Sequence, residues 1–244
     1  MKAINASYEI VDYISPRGSS ELRRIEDIAR TCYKSTPRAK EGESEFDVTK
    51  RFIKHLITNG HEAMLEHSQL TVKFTCDRGI SHELVRHRMA SFAQESTRWC
   101  NYSQDKFGNE LTFVKPYFFA HGDSDKGCEG LQRWTEAMEA CEKSYMDMLN
   151  LGFTPQEARS VLPNSLKTEI FVTANYREWR HLLRLRCAPD AHPQMKELMI
   201  PLLFELRKKI QVVFDDIDAD WKWYAEYINA KDIEVFANDV VPIN

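Results

Sequence analysis

Residues 70–76 alternate with a period of two. Leu70, Val72, Phe74 and Cys76 fall on one side, and Thr71, Lys73 and Thr75 on the other. A strand patterned this way needs a covering layer on one face only. Asp77-Arg78-Gly79 breaks it, and Ser81 is placed to cap a short helix running into Arg86. A run crowded with donors starts there: Arg86-His87-Arg88-Met89-Ala90-Ser91-Phe92-Ala93-Gln94-Glu95-Ser96-Thr97-Arg98. Guanidinium forks fit phosphate and carboxylate and stay charged at physiological pH. A solvated loop is the ordinary reading of such a run. Here Leu84, Val85 and Trp99 bracket it and Phe92 lies inside, which favours the wall of an anion-binding cleft.

The net charge of the 244-residue chain is -4, so positive charge is local, concentrated in 86–98 and 177–186. That argues against a general nucleic-acid binder and for a small anion held in a pocket. The six cysteines show no C-x-x-C pair and no framework spacing, which makes reduced thiols the expectation. No signal-like N-terminus and no apolar stretch of membrane-spanning length occurs, so a soluble cytoplasmic protein is expected, with no membrane partner.

Along the rest of the chain, Tyr8–Ile14 reads as a strand. Helices follow from about Glu21, with Leu22, Ile25, Ile28, Ala29 and Cys32 on one face, and from Val48 to Asn59-Gly60. Leu111–Val114 reads as a short strand and 120–130 as a polar segment. A long helix then carries the stripe Leu131, Trp134, Met138, Cys141, Tyr145, Met148 and Leu149. Thr154-Pro155-Gln156-Glu157 is a capping box opening a short helix that ends at Pro163. Thr168–Ala174 is another strand, Asn175 with Glu178 caps the next helix, and a last helix spans roughly Gln194 to Asp215 with a kink at Pro201. The fold expected is a single α/β domain of mixed α+β type. Its central mixed sheet is flanked by helices and its C-terminal half is helix-rich.

The helix 175–187 holds four arginines. At about 100° per residue, Arg177, Arg180 and Arg184 share the polar side, and a solvated face accounts for them as well as ligand binding does. Arg186 falls beside Trp179, Leu182 and Leu183. A guanidinium on that face requires a partner, either an acid from another element or a ligand.

Several chemistries fail on spacing. His61-Glu62-Ala63-Met64-Leu65 puts leucine where a zinc-protease helix needs its second histidine, and no metal site is expected. There is no G-x-G-x-x-G and no phosphate-loop lysine motif. Ser96 and Cys100 could be proposed as nucleophiles, but spacing assigns neither an activating base.

Arg86-His87-Arg88, seven residues and then Ser96 resembles the signature of the flavin-dependent thymidylate synthases. His61-Glu62-x3-Glu66-His67, Glu83-Leu84-Val85, Arg159-x-Val161-Leu162-Pro163, Asn175-x-Arg177 and Leu185-Arg186 recur in the family's order, over about residues 60–200. The resemblance implies a methyltransferase that converts dUMP to dTMP. Its carbon donor would be 5,10-methylenetetrahydrofolate, its hydride donor FAD reduced by NADPH, and no enzyme nucleophile would be needed. It also implies a homotetramer with active sites shared between subunits.

By position, Arg86, His87 and Arg88 would line the flavin site, Arg86 also reaching the nucleotide. Asn175, Arg177 and His181 would hold FAD, His61 and Glu66 would lie near its ring, and Gln94, Leu185 and His192 would complete the cofactor set. Gln94, Ser96, Arg98 and Arg159 would clamp the dUMP phosphate and sugar, with Glu83, Leu84, Val85, Glu95 and Thr97 in the same substrate-binding stretches. Arg186 would be the catalytic residue, contacting the pyrimidine and stabilising charge that develops there.

Three positions depart from the family's frequent residues: Glu83 stands for glutamine, His181 for asparagine, and Ala63 for threonine. Glu83 puts a carboxylate beside a phosphate-binding site, where it can pair with an arginine. The catalytic domain is taken as 1–215. Residues 216–244, with Trp221, Trp223, Tyr224 and Tyr227, form an extension with no role assigned. Two other readings compete with the enzyme. One is a nucleotide-binding module without catalysis. The other is a single-strand nucleic-acid binder that stacks bases on Phe92 and Trp99, which the overall acidity opposes.

Overall fold

The computed structural model describes residues 1–32, 34–120 and 124–230. The alternating segment becomes β3 (Gln69–Asp77), whose inward residues Leu70, Val72, Phe74 and Cys76 are essentially inaccessible. It pairs antiparallel with β2 (Ser7–Ile10) on one side and along its whole length with β6 (Lys167–Asn175) on the other. β4 (Ser91–Gln94) pairs antiparallel with the far side of β6, giving the order β2-β3-β6-β4. Parallel pairing is confined to a second, two-stranded sheet of β1 (Lys2–Ile4) and β5 (Thr112–Val114). The mixed α/β class expected from the sequence is borne out, but the central sheet, expected to be mixed, is antiparallel throughout, because β6 returns directly alongside β3 and β4 pairs back on β6.

One face of the four-stranded sheet is covered by α1 (Ser19–Thr31), α2 (Glu45–Thr58), α6 (Tyr176–Arg186) and α7 (Pro193–Lys209). Their apolar stripes share one core with the strands, centred on Leu22, Ile53, Phe74, Trp179, Leu203 and Phe214. Burying each such side chain contributes about 1.5–3 kcal/mol. A smaller core joins Phe113 of β5 and Leu166 to Met138 and Tyr145 of α4 (Ser124–Asn150) and Ala158 of α5 (Pro155–Ala158). Among the described residues no helix is long and apolar enough to cross a membrane.

Several boundaries differ from the expected ones for identifiable reasons. β2 stops at Ile10 because the Asp12 carboxylate accepts the Thr71 amide at 2.6 Å, where another ladder bond would fall. The short helix α3 (Arg78–Leu84) is capped by Asp77 rather than Ser81: Asp77 Oδ1 accepts the Ile80 amide at 2.7 Å. Ser81 lies inside the helix, its hydroxyl turned to the Arg78 carbonyl. α4 begins at Ser124, ahead of the expected stripe, and α7 runs unbroken through Pro201.

α7 ends at Lys209 instead of continuing to Asp215. The carbonyls of the residues beyond it turn inward, that of Val213 to Arg180 and those of Phe214 and Ile217 to Arg207. This path places Val212 at φ 72°, a strained angle for a β-branched residue. α8 (Trp221–Ala230), absent from the sequence reading, is capped by Asp220 and packs Tyr227 and Ile228 with Tyr117. Trp223 donates to the Tyr117 hydroxyl at 3.0 Å, and Tyr227 to Glu197 at 3.1 Å. Of the proposed extension, residues 231–244 lie outside the described residues.

Candidate active site

The arginine-rich motif occupies the turn joining α3 to β4. Amides of Arg86 and His87 bond back to the carbonyls of Glu83 and Leu84, and the Ala90 amide bonds to the His87 carbonyl, so the chain bends sharply. The bend turns His87 inward, 5 % exposed, and leaves Arg86 and Arg88 outside. β4 then fixes the rest of the run on the sheet edge through its pairing with β6.

Arg186, in the last turn of α6, reaches this bend. Its Nε donates to His87 Nε2 at 3.0 Å, one Nη to the Glu83 carboxylate at 2.8 Å, and the other Nη to the Glu83 carbonyl at 3.2 Å. Because Nε2 accepts, the proton of neutral His87 sits on Nδ1, which faces Glu178 at 3.7 Å. Burial, then the Arg186 charge, then His181 push His87 down to about 4, so the imidazole is neutral at physiological pH and can accept from a guanidinium. The partner demanded for Arg186 by its place on the helix is thus the Glu83 carboxylate, 103 residues away in sequence.

The other arginines of α6 face the 3₁₀ turn Glu62–His67. Arg177 pairs with Glu66 at 2.6 Å. Arg180, expected on a solvated or ligand-binding face, is instead wholly buried. It sits at the rim of the apolar arc and is covered by the turn and by segment 212–217. It holds Asp216 through both Nη atoms, at 2.6 and 2.7 Å, and Glu62 at 3.0 Å. Arg184 adds weaker contacts to the same two carboxylates, at 3.1 and 3.3 Å. These guanidinium groups hold both acids below the usual carboxylate range against the opposing effect of burial. Asn175 caps α6 by accepting the Glu178 amide at 2.9 Å, while His61, His181 and Leu185 are exposed.

On the opposite flank, Gln94 donates to Ser81 at 2.8 Å and to Thr168 at 3.2 Å. The Ser96 carbonyl closes the following turn by accepting the Trp99 and Cys100 amides. Arg98 leans on the exposed Trp99 ring and donates to Gln156 of α5 at 3.1 Å, three residues before Arg159. Arg86, Arg88 and Arg159 are exposed, and their guanidinium groups have no hydrogen-bond or ion-pair partner among the described residues. Arg78 has a buried Nη1 with no acceptor. Arg86, Arg88 and Arg159 therefore each present free guanidinium donors, the chemistry that suits phosphate groups.

Some residues assigned to binding are otherwise engaged. Leu84 is fully buried and belongs to the core, so its side chain lines nothing. Glu95 accepts from Tyr102 at 2.9 Å and Lys167 at 3.0 Å. Thr97 is buried. His192 caps α7 by accepting the Gln194 amide at 3.3 Å, and Gln194 reaches Asp77 at the start of α3. Val85 is exposed beside the motif. Glu62, quoted only within the His61–His67 motif, and Glu178 and Asp216 have no site role in the sequence reading. Glu178 had been identified only as a cap partner of Asn175, and its side chain faces His87. Among the described residues no cluster of histidine, cysteine and acidic side chains could hold a metal ion.

Comparison with known proteins completes the picture. The family described as "Thymidylate synthase complementing protein" matches residues 10–210. A flavin-dependent thymidylate synthase of Corynebacterium aurimucosum is 32 % identical over 84 % of this chain and 84 % of its own. That of Pyrococcus furiosus is 34 % identical over 74 % of this chain and 69 % of its own. Among solved structures, the UMP/dUMP methylase PolB of Streptomyces cacaoi bound with 5-Br dUMP superposes with a TM-score of 0.70 at 20 % identity, covering 88 % of this chain and 96 % of that one, a likeness of fold. With the motif on its bend and the family matched across most of the chain, this protein belongs to the flavin-dependent thymidylate synthase family and is a methyltransferase enzyme.

Proposed function

We propose that the protein carries out reductive methylation of dUMP to dTMP, with 5,10-methylenetetrahydrofolate as carbon donor and FAD, reduced by NADPH, as hydride donor. The observation that carries this reading is Arg186 held against the Arg86-His87-Arg88 bend by His87 and Glu83. In this reading a nucleotide lies along β4 with its pyrimidine against that fixed cation. The names of the relatives at 32–34 % identity support the same chemistry.

The donor set suits the ligands proposed. Arg86, Arg88 and Arg177 offer forks to a flavin diphosphate, with Asn175, His181, His61 and Glu66 beside it. Bound FAD supplies the hydride, which no side chain can deliver. Ser96, Arg98 and Arg159 grip the nucleotide phosphate, and Gln94 orients the sugar. Arg186 stabilises negative charge spreading onto the pyrimidine oxygen as the base is activated. This reading assigns no enzyme nucleophile. Burial, reinforced by Glu95, raises the Cys100 thiol, and burial raises those of Cys76 and Cys187, so all three are poor thiolates at neutral pH.

We further propose a cytoplasmic homotetramer whose subunits share active sites. Support comes from the exposed apolar Val85 and Met89, which flank and lie within the arginine-rich run, and Leu185 next to Arg186. The purified protein supplied with FAD, NADPH, dUMP and 5,10-methylenetetrahydrofolate is expected to produce dTMP with no other enzyme present. Flavin binding without dTMP would overturn the reading in favour of a binding module.

A further inference from the structure

Glu83 occupies a position that the proposed reaction leaves unexplained. A glutamine there would accept a hydrogen bond from Arg186 just as well, yet this chain carries a charge. The carboxylate, one-third exposed, lies 2.8 Å from an Arg186 Nη, and the backbone carbonyl of the same residue takes the other Nη. With His87 on Nε, each guanidinium nitrogen has one acceptor from a single turn of chain, and each Nη keeps one N–H for a ligand. The groups facing this pair are few: neutral His87, the Glu178 carboxylate behind it, and the His181 ring at 6.0 Å from that of His87. Arg186 is therefore aimed by three acceptors, and its charge is largely balanced by one of them.

We propose that Glu83 is a positioning residue that sets the electric field Arg186 applies to the nucleobase, and is not itself a contact to substrate phosphate. The proposal rests on the assignment of Arg186 to the pyrimidine. A carboxylate at 2.8 Å offsets most of the guanidinium charge felt a few ångströms further out, because the two act there as a dipole and no longer as a single charge. Such a site favours a neutral base in the ground state and resists adventitious anions. The cost is a weaker pull on a base that carries charge before reaction. Replacing Glu83 by glutamine keeps the hydrogen bond and the shape and removes only the charge. That single difference separates the electrostatic role from a structural one.

The test uses the flavin-loaded protein and 5-bromo-dUMP, whose N3–H ionises nearer neutrality than that of uracil, so that ultraviolet difference spectra report the charge of the bound base. In Glu83→Gln the ionisation midpoint of the bound analogue is expected to fall by about one pH unit, with affinity up about tenfold at pH values above the midpoint of the free analogue, where the base is ionised, and nearly unchanged well below it. In an Arg186→Ala background the same substitution is expected to leave the midpoint where it is, because no guanidinium remains to be unmasked. An unchanged midpoint in Glu83→Gln, with affinity for dUMP itself falling, would make Glu83 a direct substrate contact and overturn the proposal. If the flavin-loaded wild type binds neither nucleotide, the functional reading fails with it, an outcome distinguishable because no spectrum would change in any variant.

Discussion

Arg186→Ala is expected to lower turnover by at least about 100-fold, the size of effect found when a single donor to developing charge is removed from an active site. Folding should be nearly untouched. Arg186 sits in the last turn of α6 with its guanidinium one-fifth exposed; after its loss the Glu83 carbonyl keeps the Arg86 amide and His87 still faces Glu178. Glu83 is itself one-third exposed and rehydrates readily. His87 remains neutral because burial is the largest cause of its lowered pKa. Steady-state kinetics beside a thermal melt separate the two quantities. Activity within a few-fold of wild type would show that the guanidinium does not face the reacting base.

Arg180→Met is expected to have the opposite profile, with stability falling by about 2–3 kcal/mol, less than the roughly 3–5 found when one partner of a fully buried ion pair is removed, because Asp216 is half exposed and Arg184 stays beside both acids. Methionine approximates the volume of the arginine stem, so the loss comes from charge. Glu62 and Asp216 would be left with only the longer contacts to Arg184, and the Val213 carbonyl would lose its donor. Both carboxylates would then be pushed up towards protonation. Because Arg180 ties α6 to the Glu62–His67 turn, the Glu66–Arg177 pair one turn away should loosen too, weakening flavin retention as a second effect. Chemical denaturation measures the first expectation, and a loss under about 1 kcal/mol would mean that Arg184 and water compensate for the missing guanidinium.

The two arginines show what was legible in the chain and what was not. Arg186 stood out because it shares an arc with Trp179, Leu182 and Leu183, and a buried-side guanidinium must have a partner. Which partner was a matter of long-range geometry: Glu83 was noted only as an odd carboxylate beside a phosphate site, and the fold brings it to Arg186. Arg180 was misplaced because helical angle alone cannot say how wide an arc the neighbours bury. The turn 62–67 and segment 212–217 extend the covered arc past the apolar residues, and only the fold reveals them.

Strand β3 was readable nearly to the residue, since strict alternation over its length has no competing reading. β4 was hidden because four residues, Ser91–Gln94, are too few for a periodicity to emerge from among arginines. α8 was missed for a related reason. Its aromatic residues contact Tyr117 and α7 rather than forming a long stripe, and Tyr117 lies more than a hundred residues earlier in sequence. The cap of α3 was assigned to Ser81 because serine is a good capping residue, yet Asp77 at the strand end is one too and lies where the helix starts.

The central claim is that the Arg186 side chain, the Arg86-His87-Arg88 bend and the arginines beyond it assemble a nucleotide against a reduced flavin. It is tested most directly by following the absorbance of the flavin-loaded protein after reduction under strict exclusion of oxygen. Addition of dUMP and 5,10-methylenetetrahydrofolate together is expected to restore the oxidised flavin spectrum with one dTMP formed per flavin, and either compound alone to leave the flavin reduced. Persistence of the reduced spectrum with both present, in protein shown to bind dUMP, would contradict the account.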